Sequence, residues 1–344
     1  MQPAASFRIS LAQGWNPLDA RPARADSRFS AMIASVLRFS ALLAAVLALH
    51  PLPSTGAAPA AEPRIWNVRA GRFVSESSLV ADLASARYRL LGEVHDNAAH
   101  HAIRARLILA IATTGARPAL VMEQFDLDRD EALIAAQAAG ADAERLADAG
   151  GLDRKSWQWP MHKPIVEIAL AQHLPIRAGN VPRPQLREEE HAAAEPTKAI
   201  GYARFRVARW TDAQAAALRA DIVEGHCGMA PESVVPRIVL AQRLRDAAMA
   251  QALVDAATAS GAILIAGNGH VRSDLGVPVY LHAPGLPDAG ARSLSVGLIE
   301  LDDDARAGDF PRQVVAAHPG FDYLWFTPPA AREDPCANLR MPAK

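Results

Sequence analysis

Apolar and polar positions follow two periods along residues 61–344. Short apolar runs closed by polar residues predict buried strands at Tyr88–Val94 (YRLLGEV), Ala119–Gln124 (ALVMEQ), Pro175–Asn180 (PIRAGN) and Ala262–Ala266 (AILIA). Between them the period lengthens. Ile103, Leu107 and Ile111 stand four apart in Asn97–Thr114 and predict a helix, with Asp96 or Asn97 placed to cap it. Further helices are predicted over Arg129–Ala139, Lys163–His173 and Thr211–His226, the last capped by Thr211. A long helix is predicted over Ser233–Ser260, with Pro236 in its first turn, where proline is tolerated. A first strand and helix are predicted within Arg64–Ala86, and several short strands (VPVYL, SLSVGLIEL, YLWF) from Val277 to Phe326. Residues 182–210, with Pro182, Pro184, Pro196 and the run REEEH, read as an inserted or mobile stretch. The repeated strand-then-helix order predicts an α/β domain over 61–344, with a mostly parallel central sheet flanked by helices.

Residues 1–60 break this pattern. Arg24, Arg28 and Arg38 precede an uncharged apolar run at residues 39–49, and small residues follow as far as Ala58-Pro59-Ala60. That order predicts a secretory signal peptide. The apolar run is shorter than the roughly 20 residues that span a bilayer. Met32 would start an ordinary leader, and no cysteine follows the run to accept a lipid anchor. The mature protein is therefore expected to be periplasmic or secreted, without a transmembrane anchor.

Composition narrows the partners. Lys plus Arg (36) nearly balances Asp plus Glu (37), so no basic stripe points to nucleic acid. The two cysteines, Cys227 and Cys336, form no CxxC or zinc-type cluster. In a reducing compartment they would be separate thiols. In the exported compartment predicted above they are expected to pair.

Ligands of open parallel sheets bind outside the carboxyl ends of the strands. Four predicted strands end in reactive residues: Glu93 and His95, then Glu123, then Asn180, then Asn268 and His270. Gly92-Glu93-Val94-His95 and Gly267-Asn268-Gly269-His270 share the pattern GxxH. The glycine permits close backbone approach, and the histidine presents a neutral imidazole. Glu93, His95, Glu123 and His270 together make a candidate divalent-metal set, with Glu93 or Glu123 as general base if the protein is a metal-dependent hydrolase. His100, on the apolar helix face, reads as a core or supporting histidine; His101 and His173 read as structural. Gln242 and Asp246 interrupt the apolar stripe of the long helix and need buried partners, either Arg245 or the site. Trp157, Trp159, Met161 and His162 form either core packing or the wall of a large flat ligand.

LLGEVHDN, VMEQFD, WQWPMHKPI, AGNVPR, HCGM, AQRLRDAAMA and AGNGHVRSDLGVPVYL, in that order over about residues 85–285, resemble the haem-binding uptake proteins of ChaN type. That family is similar to the wider Tiki, TraB and erythromycin-esterase group. The resemblance implies haem as cofactor, bound between or beside protomers and serving iron acquisition. Partners would be a second copy and an iron-uptake receptor or transporter. It implies Gly92, Glu93, His95, Glu123, Gly267 and His270 as the shared site. For haem, the segment Trp157–His162 is expected to supply walls and axial donor, Trp159 and His162 among them, with Arg183 after Asn180 reaching a propionate and Asn268 beside the cofactor. Where related chains carry tyrosine this one has His162, which can also ligate haem.

Overall fold

The computed structural model describes residues 64–192, 203–302, 311–334 and Cys336. The leader at 1–60, Met32 included, lies outside the described residues. Eight strands form one sheet: β1 (Arg64–Asn67), β2 (Arg72–Val74), β3 (Tyr88–Leu91), β4 (Ala119–Asp126), β5 (Ile176–Asn180), β6 (Ala262–Ile265), β7 (Ser293–Glu300) and β8 (Tyr323–Thr327). Their order is β2-β1-β8-β7-β3-β6-β4-β5. The six strands from β8 to β5 are mutually parallel. The β1–β2 hairpin adds an antiparallel edge beside β8, where the sequence pattern predicted a single strand.

Helices cover both faces. In chain order they are α1 (Glu76–Ser85), α2 (Ala98–Thr113), α3 (Asp130–Ala138), α4 (Ala143–Ala149), α5 (Trp159–Ala171), α6 (Arg183–Ala192), α7 (Ala203–Val207), α8 (Asp212–Gly225), α9 (Val235–Ala256), α10 (Asn268–Val271), α11 (Val277–Leu281) and α12 (Pro311–Ala317). Side chains alternate across a strand, so β4 feeds two cores. Leu120 and Met122 join Leu107 of α2 and Ile165 of α5, while Ala119 and Val121 join Met249 and Leu253 of α9. Asn97 caps α2 through the Ala99 amide, and Thr211 and Gln214 make a reciprocal capping box on α8. Among the described residues no helix is long and apolar enough to cross a membrane.

Several helices also differ from the predicted form. VPVYL is helical (α11), not a strand: Pro278 suits a first helical turn, and a five-residue apolar run does not by itself separate strand from buried helix. Helix α5 starts at Trp159 rather than Lys163, because Gln158 adopts a left-handed conformation (φ 47°) and turns the chain between the two tryptophans. Residues 183–192 and 203–207, inside the stretch read as an insertion, are helical. Cys227, after α8, is joined to Cys336 in the C-terminal tail, with Cα atoms 5.7 Å apart. The tail is also held by Arg332, whose guanidinium binds Asp96 and Glu300 at 2.6 Å.

Register places the site. Leu91 of β3, Ile265 of β6 and Met122 of β4 stand side by side on adjacent strands. Gly92-Glu93 and Ala266-Gly267 therefore leave the sheet at one level, beside Glu123 of β4, which continues to Asp126. Both GxxH turns and the β4 carboxylate meet there because β6 returns between β3 and β4.

Candidate functional site

Glu93 is enclosed at the end of β3. Its Oε1 accepts from His95 Nδ1 at 2.7 Å, and its Oε2 takes the Arg104 guanidinium and lies 3.2 Å from His101 Nε2. Arg104 and His101 both come from α2, three residues apart and so on one helical face. His101 Nε2 donates to the His95 carbonyl at 2.9 Å, while its Nδ1 accepts from Arg104 at 3.0 Å. Both of its ring nitrogens are thus committed. Burial alone would raise the Glu93 pKa, but the Arg104 guanidinium, the neighbouring His101 ring and the bond from His95 hold it well below the usual carboxylate range. Burial also works against a charged His95, and the Glu93 carboxylate outweighs it, raising the His95 pKa.

A second cluster lies across Gly267. His270 Nε2 faces Glu123 Oε1 at 3.2 Å, and its Nδ1 lies 2.6 Å from Asp246 Oδ1 and 3.1 Å from Gln242 Nε2. Glu123 Oε2 accepts from the Gly267 amide at 2.9 Å. Gln242 and Asp246, the two polar interruptions of the α9 stripe, thus both meet His270. Burial opposes its charge, yet Glu123 and Asp246 raise its pKa to about 10. Burial would raise Glu123, but His270 lowers it to about 2; burial raises Asp246 to about 6 against the pull of His270. Glu93 and Glu123 are each committed to a buried cation, which leaves neither poised as a general base.

The remaining predicted residues separate. Asn268 uses its whole amide on the β7 backbone: Nδ2 donates to Leu298 O at 2.7 Å, and Oδ1 accepts from Leu298 N at 3.2 Å. It anchors the turn and is not available to a cofactor. Trp159 is buried in the core and its indole N–H donates to Glu144 at 3.0 Å, so it is no wall of the mouth. Trp157 takes that place instead. It is half-buried and packs edge-on against His95, with ring centroids 5.2 Å apart. Asn180 donates to Asp126 at 3.0 Å, and Arg183 is an exposed residue at the start of α6 whose charge acts on Asp126 and Asp153. His162 is fully enclosed, 4.4 Å from the His101 ring centre, and burial holds its pKa well below the ordinary value. Neither of its ring nitrogens has a partner among the described residues. His100 is a supporting group: Nδ1 accepts from the Val94 amide and Nε2 pairs with Thr327.

Donor atoms of Glu93, His101 and His162 lie within 4.8 Å of one another. A cation among them would have to displace Arg104, whose charge already sits on Glu93 and His101. His95 and His270 do not present two free nitrogens either, since His270 is held between two carboxylates. Sequence reasoning passed over Arg104, and read His101 as structural. The available signal was a pair of polar residues at i and i+3 on the buried face marked by Ile103 and Leu107.

The family model described as "Haem-binding uptake, Tiki superfamily, ChaN" matches residues 79–281. No curated protein sequence matches the chain. Among solved structures, the ChaN of Campylobacter jejuni, described as binding haem cofacially, is 20% identical with a TM-score of 0.61, covering 77% of this chain and 96% of that one. That likeness is one of fold. An erythromycin esterase, EreC in its open conformation, is 15% identical with a TM-score of 0.36, covering 76% of this chain and 81% of that one.

Proposed function

The chain belongs to the haem-binding uptake family, Tiki superfamily, ChaN, and on that premise we propose that it is a haem-binding accessory of iron uptake, acting outside the cytoplasm. The supporting observation is at the mouth of the sheet. His95 and Trp157, both half-buried, stand together beyond the carboxyl end of β3, which lies beside that of β6. Haem needs an apolar or aromatic wall and an axial donor, a role that a histidine nitrogen can fill. Trp157 and His95 supply that pair of chemistries, so the residues fit the group. The iron would supply the open coordination position; the chain supplies the wall, the donor and the carboxylate that orients it.

The apolar run at residues 39–49, following three arginines, supports export, with residues 61–344 as the mature domain. A second copy around the haem and an iron-uptake receptor or transporter are the partners this role calls for. Titration of the mature protein with hemin tests the proposal. A saturable Soret band supports it. Unsaturable binding with no distinct band marks sticking to apolar surface and refutes it.

A further inference from the structure

The histidines at the mouth differ in which ring nitrogens are spoken for. His100 has both in use, on the Val94 amide and Thr327. His101 has both in use, on the His95 carbonyl and Arg104. His270 has both in use, between Asp246 and Glu123. His162 has none in use but is fully enclosed, with the His101 and Trp157 rings set edge-on to it. His95 is the remaining case. Its Nδ1 is fixed on Glu93, its Nε2 has no hydrogen-bond partner among the described residues, and 32% of its side chain is exposed.

We propose that His95 Nε2 is the axial iron ligand of this chain, oriented by Glu93 on its other nitrogen, and that the enclosed His162 is not. The inference rests on the haem-binding reading and deepens it. An imidazole that ligates a metal through one nitrogen almost always gives its other N–H to a carboxylate or carbonyl, which fixes the tautomer and makes the ligating nitrogen more basic. Glu93 already holds Nδ1 in that way. Glu93 is itself held by Arg104 through its other oxygen, so the carboxylate that orients the ring is fixed in place.

Gly267 explains why the second GxxH motif serves the first. A Cβ on Gly267 would stand 3.2 Å from His95 Cε1 and 3.3 Å from Nε2. Any larger residue there would press on the edge of the ring that carries the free nitrogen. The ring of Trp157 on another side gives a flat macrocycle an aromatic neighbour.

The test is a hemin titration of the mature protein and its His95→Gly, His162→Ala and His173→Ala variants, followed by absorption and electron paramagnetic resonance, with circular dichroism confirming the fold of each. The wild type should show a histidine-ligated spectrum. His95→Gly should lose that signature and bind at least about tenfold more weakly, since loss of even an outer partner of a metal ligand brings 10–100-fold. Added imidazole should restore the signature in His95→Gly, which a structural role for His95 would not produce. His162→Ala and His173→Ala should keep the wild-type spectrum. An unchanged spectrum in folded His95→Gly, or its loss in folded His162→Ala, overturns the assignment while leaving haem binding in place. Absence of saturable binding in the wild type removes the haem reading and this assignment with it.

Discussion

Gly92 and Asn268 approach so closely that a Cβ on Gly92 would stand 2.3 Å from Asn268 Oδ1. The first residue of one GxxH motif thus packs on the second residue of the other, and Asn268 ties both to β7 through Leu298. The same Cβ would also meet Val271 Cγ2 at 2.8 Å and Val296 O at 3.1 Å. Gly92→Ala should therefore cost about 1–3 kcal/mol, the usual penalty for overpacking a filled interior. Urea denaturation measures it, and an unchanged midpoint would show that the two turns are not coupled.

The pairing of His270 with two carboxylates predicts a pH signature in stability. Its folded pKa is raised from 6.5 to about 10, so its contribution is fully present below 6.5 and is lost as pH rises through 10. Glu123 is lowered from 4.5 to about 2, so its contribution is present above 4.5 and is lost as pH falls through 2. His270→Ala should cost roughly 3–5 kcal/mol in the window between those limits, because Glu123 and Asp246 are left buried and unpaired. The deficit should shrink toward pH 10 and toward pH 2. A deficit independent of pH would show that the imidazole only fills space.

The two tryptophans should behave oppositely. Trp159 lies in the core, and Trp159→Ala should cost about 3–5 kcal/mol by thermal or chemical denaturation. Trp157 stands at the mouth beside His95, so Trp157→Ala should weaken hemin binding with a smaller effect on stability. Equal stability losses with unchanged hemin affinity would return Trp157 to the core.

The link between Cys227 and Cys336 spans 109 residues of chain. Closing a loop of that length is worth on the order of 4–5 kcal/mol in the chain-entropy treatment, before native strain is subtracted. Thiol titration of the unreduced, denatured protein should find no free thiol, and reduction should lower the denaturation midpoint. Two titratable thiols would refute the bridge.

Export makes a prediction about the mature chain. Protein recovered from its native host should begin near Ala60, as read by intact mass. A protein that still carries the apolar run at residues 39–49 would refute the leader reading.

Several features of the site were legible before any coordinates. Apolar runs ending in Glu93, Glu123 and the Gly267 turn marked strands, and the repeat of strand and helix implied a parallel sheet with a mouth at its carboxyl ends. The GxxH glycines were recognisable because close approach needs a residue without a Cβ, and both Gly92 and Gly267 meet that demand in the fold. Helix α11 was misread because its run is too short for periodicity to separate strand from helix.

Sequence by itself marked Glu93, His95, Glu123 and His270 as residues at strand ends, since strand ends and turns are set by local periodicity and turn chemistry. Only the tertiary structure decided what each can do there. Arg104 reaches Glu93 across 11 positions, Asp246 reaches His270 across 24, and Glu123 reaches the Gly267 amide across 144. A side chain's charge and its free nitrogen depend on those partners, and the partners depend on β6 returning between β3 and β4. Local pattern cannot encode that order, because the hydrophobic period of a buried strand is the same whichever strand lies beside it.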